Sequence, residues 1–456
     1  MASTFRNPAM SPFIEPKPAS SAQASTIILD AHARFSQTRL YHDTALHNHQ
    51  TRMCSGFSFF IQRLGDLEIY MLTFVSSSKS LQIWWLSQCS WMAGNDATAL
   101  RSLQFARQPH PNRDYQNILQ QPPNSSQMAQ STMKAWIYSG TTNGLEKNLT
   151  FDTTANTPKV SGDEVLIKVL SASLNPADYK VPEMGMVAQK LVIGTPAIPG
   201  MDFCGEVISD GPFTPGQLVY GCLSRPSRFG SLGEYLVVSA DFLVPVPEGV
   251  EIDHAASIGI AGQTAYQSLA GYVSAGDRVF INGGSGGCGI FAIQIAKELG
   301  CHVTTTCSTR NVEFVRGIGA DAVIDYSAED VVARLKEGEV FDHVVDHIGV
   351  PAPLYRESNA FLKPGKTFVQ VGASAMATFA ERLVVPGFLG GGKRKYVIFF
   401  FKNNKEDLVK VGEMVKKGAV KIQLDSTFEF EETVKAFEKL RSGRARGKIV
   451  VHVANS

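Results

Sequence analysis

Residues Glu164–Ser171 (EVLIKVLS), read as an alternating segment, suggest a strand. Short β-type segments bounded by Gly and Pro continue from there to about Pro247. The texture changes after His254. Arg278–Asn282 is a compact apolar strand, Ile290–Leu299 carries a helical apolar stripe, and His302–Cys307 is again strand-like. Ala322–Tyr326, His343–Ile348 and Lys366–Gly372 repeat the strand pattern, with helical stretches between them. Strands and helices alternating at this spacing predict an α/β fold with a parallel, doubly wound sheet. A β-rich part feeding a doubly wound part predicts two domains with a cleft between them. Tyr396–Phe401 is unusually apolar and reads either as a sixth strand of that sheet or as a dimer-edge strand.

This order does not reach back to the start. Residues 1–132 hold 10 Lys+Arg and 7 Asp+Glu, whereas the following 324 hold 33 and 35, so the charged fraction rises sharply at the boundary. The first stretch also holds three of the four Trp (Trp84, Trp85, Trp91), shows no sustained period, and closes with the polar run Gln116–Thr132. Arg34, Arg39 and Arg52 among Ser and Thr are loosely transit-like, but Glu15, Asp30, Asp43 and the length count against a targeting peptide. Met133 then opens MKAWIY, the first strand of a well-formed domain. The expectation is that Met133 is the functional start and that residues 1–132 are a disordered or non-native extension.

Over all 456 residues, 43 Lys+Arg balance 42 Asp+Glu, which argues against a nucleic-acid or membrane-surface protein working through bulk charge. No run of about 18 uncharged apolar residues predicts a membrane span. The seven cysteines (54, 89, 204, 222, 288, 301, 307) are odd in number and never form CxxC. Neither a disulfide framework nor a zinc ribbon is indicated, and a reducing, cytoplasmic setting is expected.

The strongest local signal is Val279–Gly289 (VFINGGSGGCG), which contains GxGxxG as Gly284, Gly286 and Gly289. It follows an apolar strand, opens a helix and precedes a second strand, the context that makes it a dinucleotide-binding turn. Gly284, Ser285, Gly286, Gly287, Cys288 and Gly289 are therefore candidate phosphate contacts, with the helix N-terminus adding free N–H groups. An NAD site places a carboxylate about 20 residues on. Here Ser308 stands 19 residues beyond Gly289, followed by Thr309 and Arg310, and hydroxyls with an Arg suit a 2′-phosphate. NADP(H) is the expected cofactor.

At this point the chain resembles the medium-chain dehydrogenase/reductase superfamily, in its zinc-independent quinone oxidoreductase and enone reductase branch. The resemblance rests on Asn175–Lys180 (NPADYK), Ile198–Glu206 (IPGMDFCGE), Ala255–Tyr266 (AASIGIAGQTAY), the loop Gly283–Gly289 and Gly319–Tyr326 (GADAVIDY). These occur in family order and cover essentially all of 133–456. The resemblance implies a GroES-like β-rich catalytic domain (133–253 and 396–456) around a Rossmann-type nucleotide-binding domain (254–395). Zinc-dependent relatives carry Cys where Asn175 stands and Gly-His-Glu where Gly200-Met201-Asp202 stands, so no metal is expected. Cys204, Cys222, Cys288 and Cys301 read better as core thiols than as ligands.

Without a Lewis acid, hydride transfer suits a quinone or the conjugated double bond of an α,β-unsaturated carbonyl. The protein must position the partners, stabilise the enolate and allow protonation. By resemblance, Asn175 faces nicotinamide and substrate, Tyr179 and Lys180 orient the carbonyl or supply a proton, Thr264 lies near the nicotinamide ribose, and Tyr326 packs by the 2′-phosphate. Simpler readings stand beside these. Asn175 before Pro176 suits a self-satisfied turn, Tyr179 a core aromatic, Lys180 a solvated charge, and Thr264 a helix cap. Arg444 and Arg446 either reach the phosphate or are solvated, and Lys393–Lys395 reads as a solvated loop. His343 and His347 read as satisfied core or edge histidines.

The expected function is NADPH-dependent, zinc-independent reduction of a quinone or enone. A pathway-specific enoyl reductase of polyketide-type metabolism and a non-catalytic NADPH-binding protein are the alternatives. A small-molecule substrate and a homodimer are the expected partners.

Overall fold

The computed structural model describes residues 131–372, 378–379, 381–382 and 391–454, together with the backbone of three earlier strands. Those strands, Phe60–Leu64, Leu67–Thr73 and Ile83–Ser87, pair in order as an antiparallel sheet within the unit Met1–Asn117. The remaining expectation for residues 1–132 lies outside the described residues. The second unit, Ile118–Ser456, holds all of the elements below.

Its chain opens with a two-stranded antiparallel pair, Thr132–Ile137 and Thr150–Asn156. The next strand, β1 (Glu164–Leu174), runs three residues past the expected segment, and it is not alternating: Val165, Leu166 and Ile167 are buried in succession, so both of its faces are covered. It pairs antiparallel with β2 (Asp202–Val207), which pairs in turn with β3 (Leu218–Cys222). Further along, β4 (Tyr235–Ser239) pairs β1, and β5 (Leu243–Pro245) pairs β3.

A long helix, α1 (Ile252–Leu269), leads into six strands: β6 (Arg278–Asn282), β7 (His302–Cys307), β8 (Ala322–Asp325), β9 (His343–Asp346), β10 (Thr367–Gln370) and β11 (Lys395–Ile398). All pair parallel, in the order β8-β7-β6-β9-β10-β11. Val279, Phe280 and Ile281 are fully buried, which is why β6 reads as a continuous apolar run rather than an alternation. The strand order reverses between β6 and β9. In such sheets the crevice outside the carboxyl ends at the reversal is the ligand site.

The apolar run near 396–401 supplies the sixth strand. The anticipated division at 395/396 thus falls inside a strand of the parallel sheet. The chain re-enters the first sheet only after helix α2 (Lys405–Lys416), through β12 (Leu424–Glu429), helix α3 (Thr433–Arg441) and β13 (Lys448–His452). That sheet runs β5-β3-β2-β1-β13-β12. In the expected solvated run at 393–395, Lys393 and Lys395 are exposed and Arg394 is not free. Arg394 Nε donates to Leu362 O at 2.7 Å and its Nη2 to Asn359 O at 2.9 Å, tying the chain down just before β11.

Candidate active site

The glycine-rich turn joins β6 to the helix Gly287–Glu298, which begins three residues earlier than its apolar stripe because the glycines give no periodic signal. A Cβ on Gly289 would lie against the Gly283 carbonyl oxygen and 2.7 Å from the Gly284 backbone, and one on Gly284 against Thr305 Oγ1. These two glycines let the helix close onto the sheet. A Cβ on Gly286 would meet nothing nearer than Gly283 O at 3.7 Å, an ordinary contact, so that position is uncrowded. The helix start with an uncrowded glycine before it fits an anionic pyrophosphate. Ser285 accepts from Gly447 N–H through its carbonyl (3.1 Å) and from Asn311 Nδ2 through its hydroxyl (3.1 Å).

Asn311, absent from the sequence expectations, also reaches Ser308 Oγ at 3.4 Å and so links the turn to the end of β7. Arg310 is exposed there, and its Nη2 donates to Arg444 O at 3.1 Å. The exposed Tyr326 donates its backbone N–H to Cys307 O at 3.1 Å. Ser308, Arg310, Arg444 and Tyr326 therefore share one rim. Asp325 beside them accepts from Ser327 N–H at 2.9 Å and bonds Thr309. Arg446 stacks on Phe314, with its guanidinium carbon 4.9 Å from the ring centre.

The loop from β1 places Asn175 in a buried polar cluster. Its Nδ2 donates to Asp202 Oδ2 (2.8 Å), and its Oδ1 accepts from Lys448 Nζ (2.7 Å). Lys448 also donates to Leu174 O (3.2 Å) and lies 3.4 Å from Asp202 Oδ2. Asp202 Oδ1 accepts from Ile260 N–H of α1 at 2.9 Å. The amide of Asn175 is thus occupied on both sides by protein groups, as a buried polar group requires. Sequence reasoning missed Lys448, although a lysine inside the apolar run GKIVV is a usable signal.

Asp178 joins this cluster by accepting from Asn175 N–H at 2.7 Å. Burial pushes its carboxyl up to about 8, opposed by that hydrogen bond, reinforced by Asp202 and opposed again by Lys448. Since the folded-state value lies above the ordinary one, the stability this group contributes is complete below the ordinary carboxylate range. It is lost as pH rises through about 8. Asp178→Asn keeps an acceptor for Asn175 N–H and removes the titration. Thermal scans between about pH 5 and pH 9 should show the wild type losing up to a few kcal/mol more than the variant. Parallel pH profiles would contradict this account.

Tyr179 and Lys180 lie on the single turn Ala177–Lys180. The half-buried Tyr179 ring lies under the Arg441 guanidinium (4.3 Å), which is itself held by Glu146 and Glu183. Burial raises its phenol, with Arg441 opposing. The Lys180 ammonium is held below its ordinary value by desolvation, while the side chain still reaches solvent. Thr264 is buried on α1, next to Gln263, whose Nε2 contacts Asn403 Oδ1 at 3.1 Å. Cys288 is pushed up to about 11 and Cys204 to about 12, chiefly by burial, so both are thiols at neutral pH. Among the described residues, no group of three or more His, Cys, Asp or Glu is placed to hold a metal.

Residues 161–248 match the alcohol dehydrogenase GroES-like domain and residues 318–451 the zinc-binding dehydrogenase family. A trans-enoyl reductase of Aspergillus terreus is 43% identical over 71% of this chain and 97% of its own length. The chain belongs to the medium-chain dehydrogenase/reductase superfamily. A chloroplastic quinone-oxidoreductase homolog of Spinacia oleracea is 32% identical, over 71% of this chain and 99% of that one. The solved quinone oxidoreductase of Coxiella burnetii is 34% identical with a TM-score of 0.63, covering 71% of this chain and 99% of its own. As a medium-chain dehydrogenase/reductase with these quinone oxidoreductase and enoyl reductase relatives, the protein is an oxidoreductase of the nicotinamide-dependent type. Among its described residues, no helix is long and apolar enough to cross a membrane.

Proposed function

We propose that this protein is an NADPH-dependent reductase of quinones or of the conjugated double bond of α,β-unsaturated carbonyls. The observation that carries the cofactor choice is the rim at the end of β7. There Ser308 and the exposed Arg310, linked to the Arg444 backbone, offer hydroxyl and guanidinium groups. A guanidinium matches a phosphate dianion, whereas an adenosine lacking that phosphate gains nothing from it. Ser285, Gly286, Gly287, Cys288 and Gly289 would hold the pyrophosphate, with Tyr326 against the adenosine end. NADPH, when bound, supplies the hydride.

The chain's own residues then position the acceptor and handle the proton. Asn175, with its amide committed to Asp202 and Lys448, acts as a rigid floor. Tyr179 and Lys180 would orient the carbonyl oxygen and protonate the enolate. Lysine with a lowered pKa suits that exchange. In this reading Thr264 contacts the nicotinamide ribose and no metal takes part.

A second reading, an enoyl reductase acting on a long acyl chain, draws support from the trans-enoyl reductase relative and from one local feature. Met184, Met186, Val187, Leu191 and Val192 are exposed just after Lys180, a surface suited to an apolar tail.

Cofactor oxidation by the full chain, with NADPH or NADH against enones, quinones and enoyl thioesters, tests both readings. NADPH should be preferred, and Arg310→Leu should reduce that preference roughly ten-fold by removing a charge-assisted contact. Equal use of NADH by the wild type would overturn the cofactor assignment. Selective turnover of long enoyl thioesters would favour the second reading, and NADPH binding with no turnover of any acceptor would favour a binding protein.

A further inference from the structure

We propose that His347 is a further cofactor-contacting residue, its neutral imidazole pairing with a hydroxyl or amide group on the nicotinamide half of a bound dinucleotide. The inference rests on the dinucleotide reading above.

His347 follows directly on β9, and its N–H donates to Asn282 O at 3.2 Å. It is therefore the last rung between β6 and β9 before Gly283, at the carboxyl ends of the two strands where the order reverses. The side chain of Asp346, one residue earlier, is occupied by Asn282, Arg382 and two backbone N–H groups. His347 has no such partners. Both of its ring nitrogens are buried, and neither has a hydrogen-bond partner among the described residues.

The contrast with His343, on the same strand, is informative. His343 Nε2 lies 2.8 Å from Ser268 O, and its ring stacks on Tyr272 at 4.9 Å. His343 is thus the satisfied core histidine that its strand position predicts, and His347 departs from that expectation. A neutral imidazole carries one N–H donor and one acceptor lone pair, and burying both unpaired is unfavourable. Protonation offers no relief, because desolvation pushes the ring down to about 4. A partner arriving with a ligand removes the deficit.

The geometry also says which part of the ligand arrives. The uncrowded glycine Gly286 marks the pyrophosphate position, and the Ser308–Arg310–Tyr326 rim lies on the β7–β8 side of it. A dinucleotide whose adenosine half lies over β7 and β8 must send its other half across the reversal, towards β9. His347 stands on that side. Its polar ring suits the ribose hydroxyls or carboxamide of nicotinamide and has no use for a phosphate already held at the helix start.

Binding of two ligands to the full chain tests this. NADPH spans the crevice, and adenosine 2′,5′-bisphosphate occupies only the adenosine side. His347→Phe keeps a ring of similar volume without nitrogens, and His347→Gln restores a donor and an acceptor. Titration should show NADPH bound roughly ten-fold more weakly by His347→Phe, an intermediate loss for His347→Gln, and no change for the bisphosphate. Unchanged NADPH affinity in His347→Phe overturns the proposal, as does an equal loss for both ligands. If His347→Phe does not fold, wild-type NADPH affinity with an intact fold in both His347→Gln and His347→Leu overturns it. A wild type that binds neither ligand overturns the dinucleotide reading and this proposal with it.

Discussion

Lys448→Met is expected to destabilise the protein by about 3–5 kcal/mol, the cost of leaving a buried carboxylate without its counter-charge. The lysine and Asp202 are both almost fully buried, at 2% and 0% side-chain exposure, so solvent cannot take over the lost partner. Methionine has similar length and fills the space of the lysine stem. The loss should therefore report charge and hydrogen bonding rather than a cavity. Asn175 Oδ1 and Leu174 O also lose their donor. Thermal and denaturant unfolding would measure the effect, and adding Asp202→Asn to remove the stranded charge should recover much of it. A single variant within about 1 kcal/mol of wild type would show that the cluster is not an electrostatic unit. The lysine stem also lies beneath the glycine-rich turn, since a Cβ on Gly287 would sit 3.4 Å from Lys448 Cδ. Loss of the pair is thus expected to weaken dinucleotide binding as well.

The second large effect concerns two glycines three residues apart. Gly289→Ala forces a methyl onto the Gly283 carbonyl and to within 2.7 Å of the Gly284 backbone, none of which is a flexible side-chain end. The helix start must shift, at a cost of about 1–3 kcal/mol, and both stability and dinucleotide affinity should fall. Gly286→Ala is the instructive partner. Its backbone is extended at φ −83°, and its methyl would meet nothing closer than 3.7 Å, so the fold should be kept. The same methyl occupies space that a pyrophosphate needs, and affinity should drop roughly ten-fold. Calorimetric titration with NADPH, alongside thermal unfolding, separates the two outcomes. Equal behaviour of the two variants would remove Gly286 from the phosphate site.

Much of this protein can be read along the chain because the relevant signals are local. Val279–Ile281 form a buried apolar run, and the glycines that follow break it at the point where strand becomes helix. Glu164–Ser171 reads as a strand too, but not as a half-buried one: Val165, Leu166 and Ile167 are buried in succession, so both faces of β1 are covered, and its end is hidden because Ser171 and Ser173 are buried polar residues. The helix beyond the turn reads late for the opposite reason, since Gly287 and Gly289 carry no side chains to mark a stripe. The candidate site is legible only where its residues are consecutive.

The order of strands and helices, the glycine-rich turn and the choice of residues at the end of β7 follow from the sequence itself. Backbone sterics and side-chain periodicity act over a few residues, and those constraints are written in consecutive positions. Only the tertiary structure brings Asn175, Asp202 and Lys448 together across 27 and 273 residues of chain, and turns three scattered polar side chains into one buried cluster. It also decides that His343 is satisfied while His347 finds no partner among the described residues. A hydrogen bond depends on which neighbour stands within about 3 Å, and that neighbour is chosen by packing rather than by position along the chain.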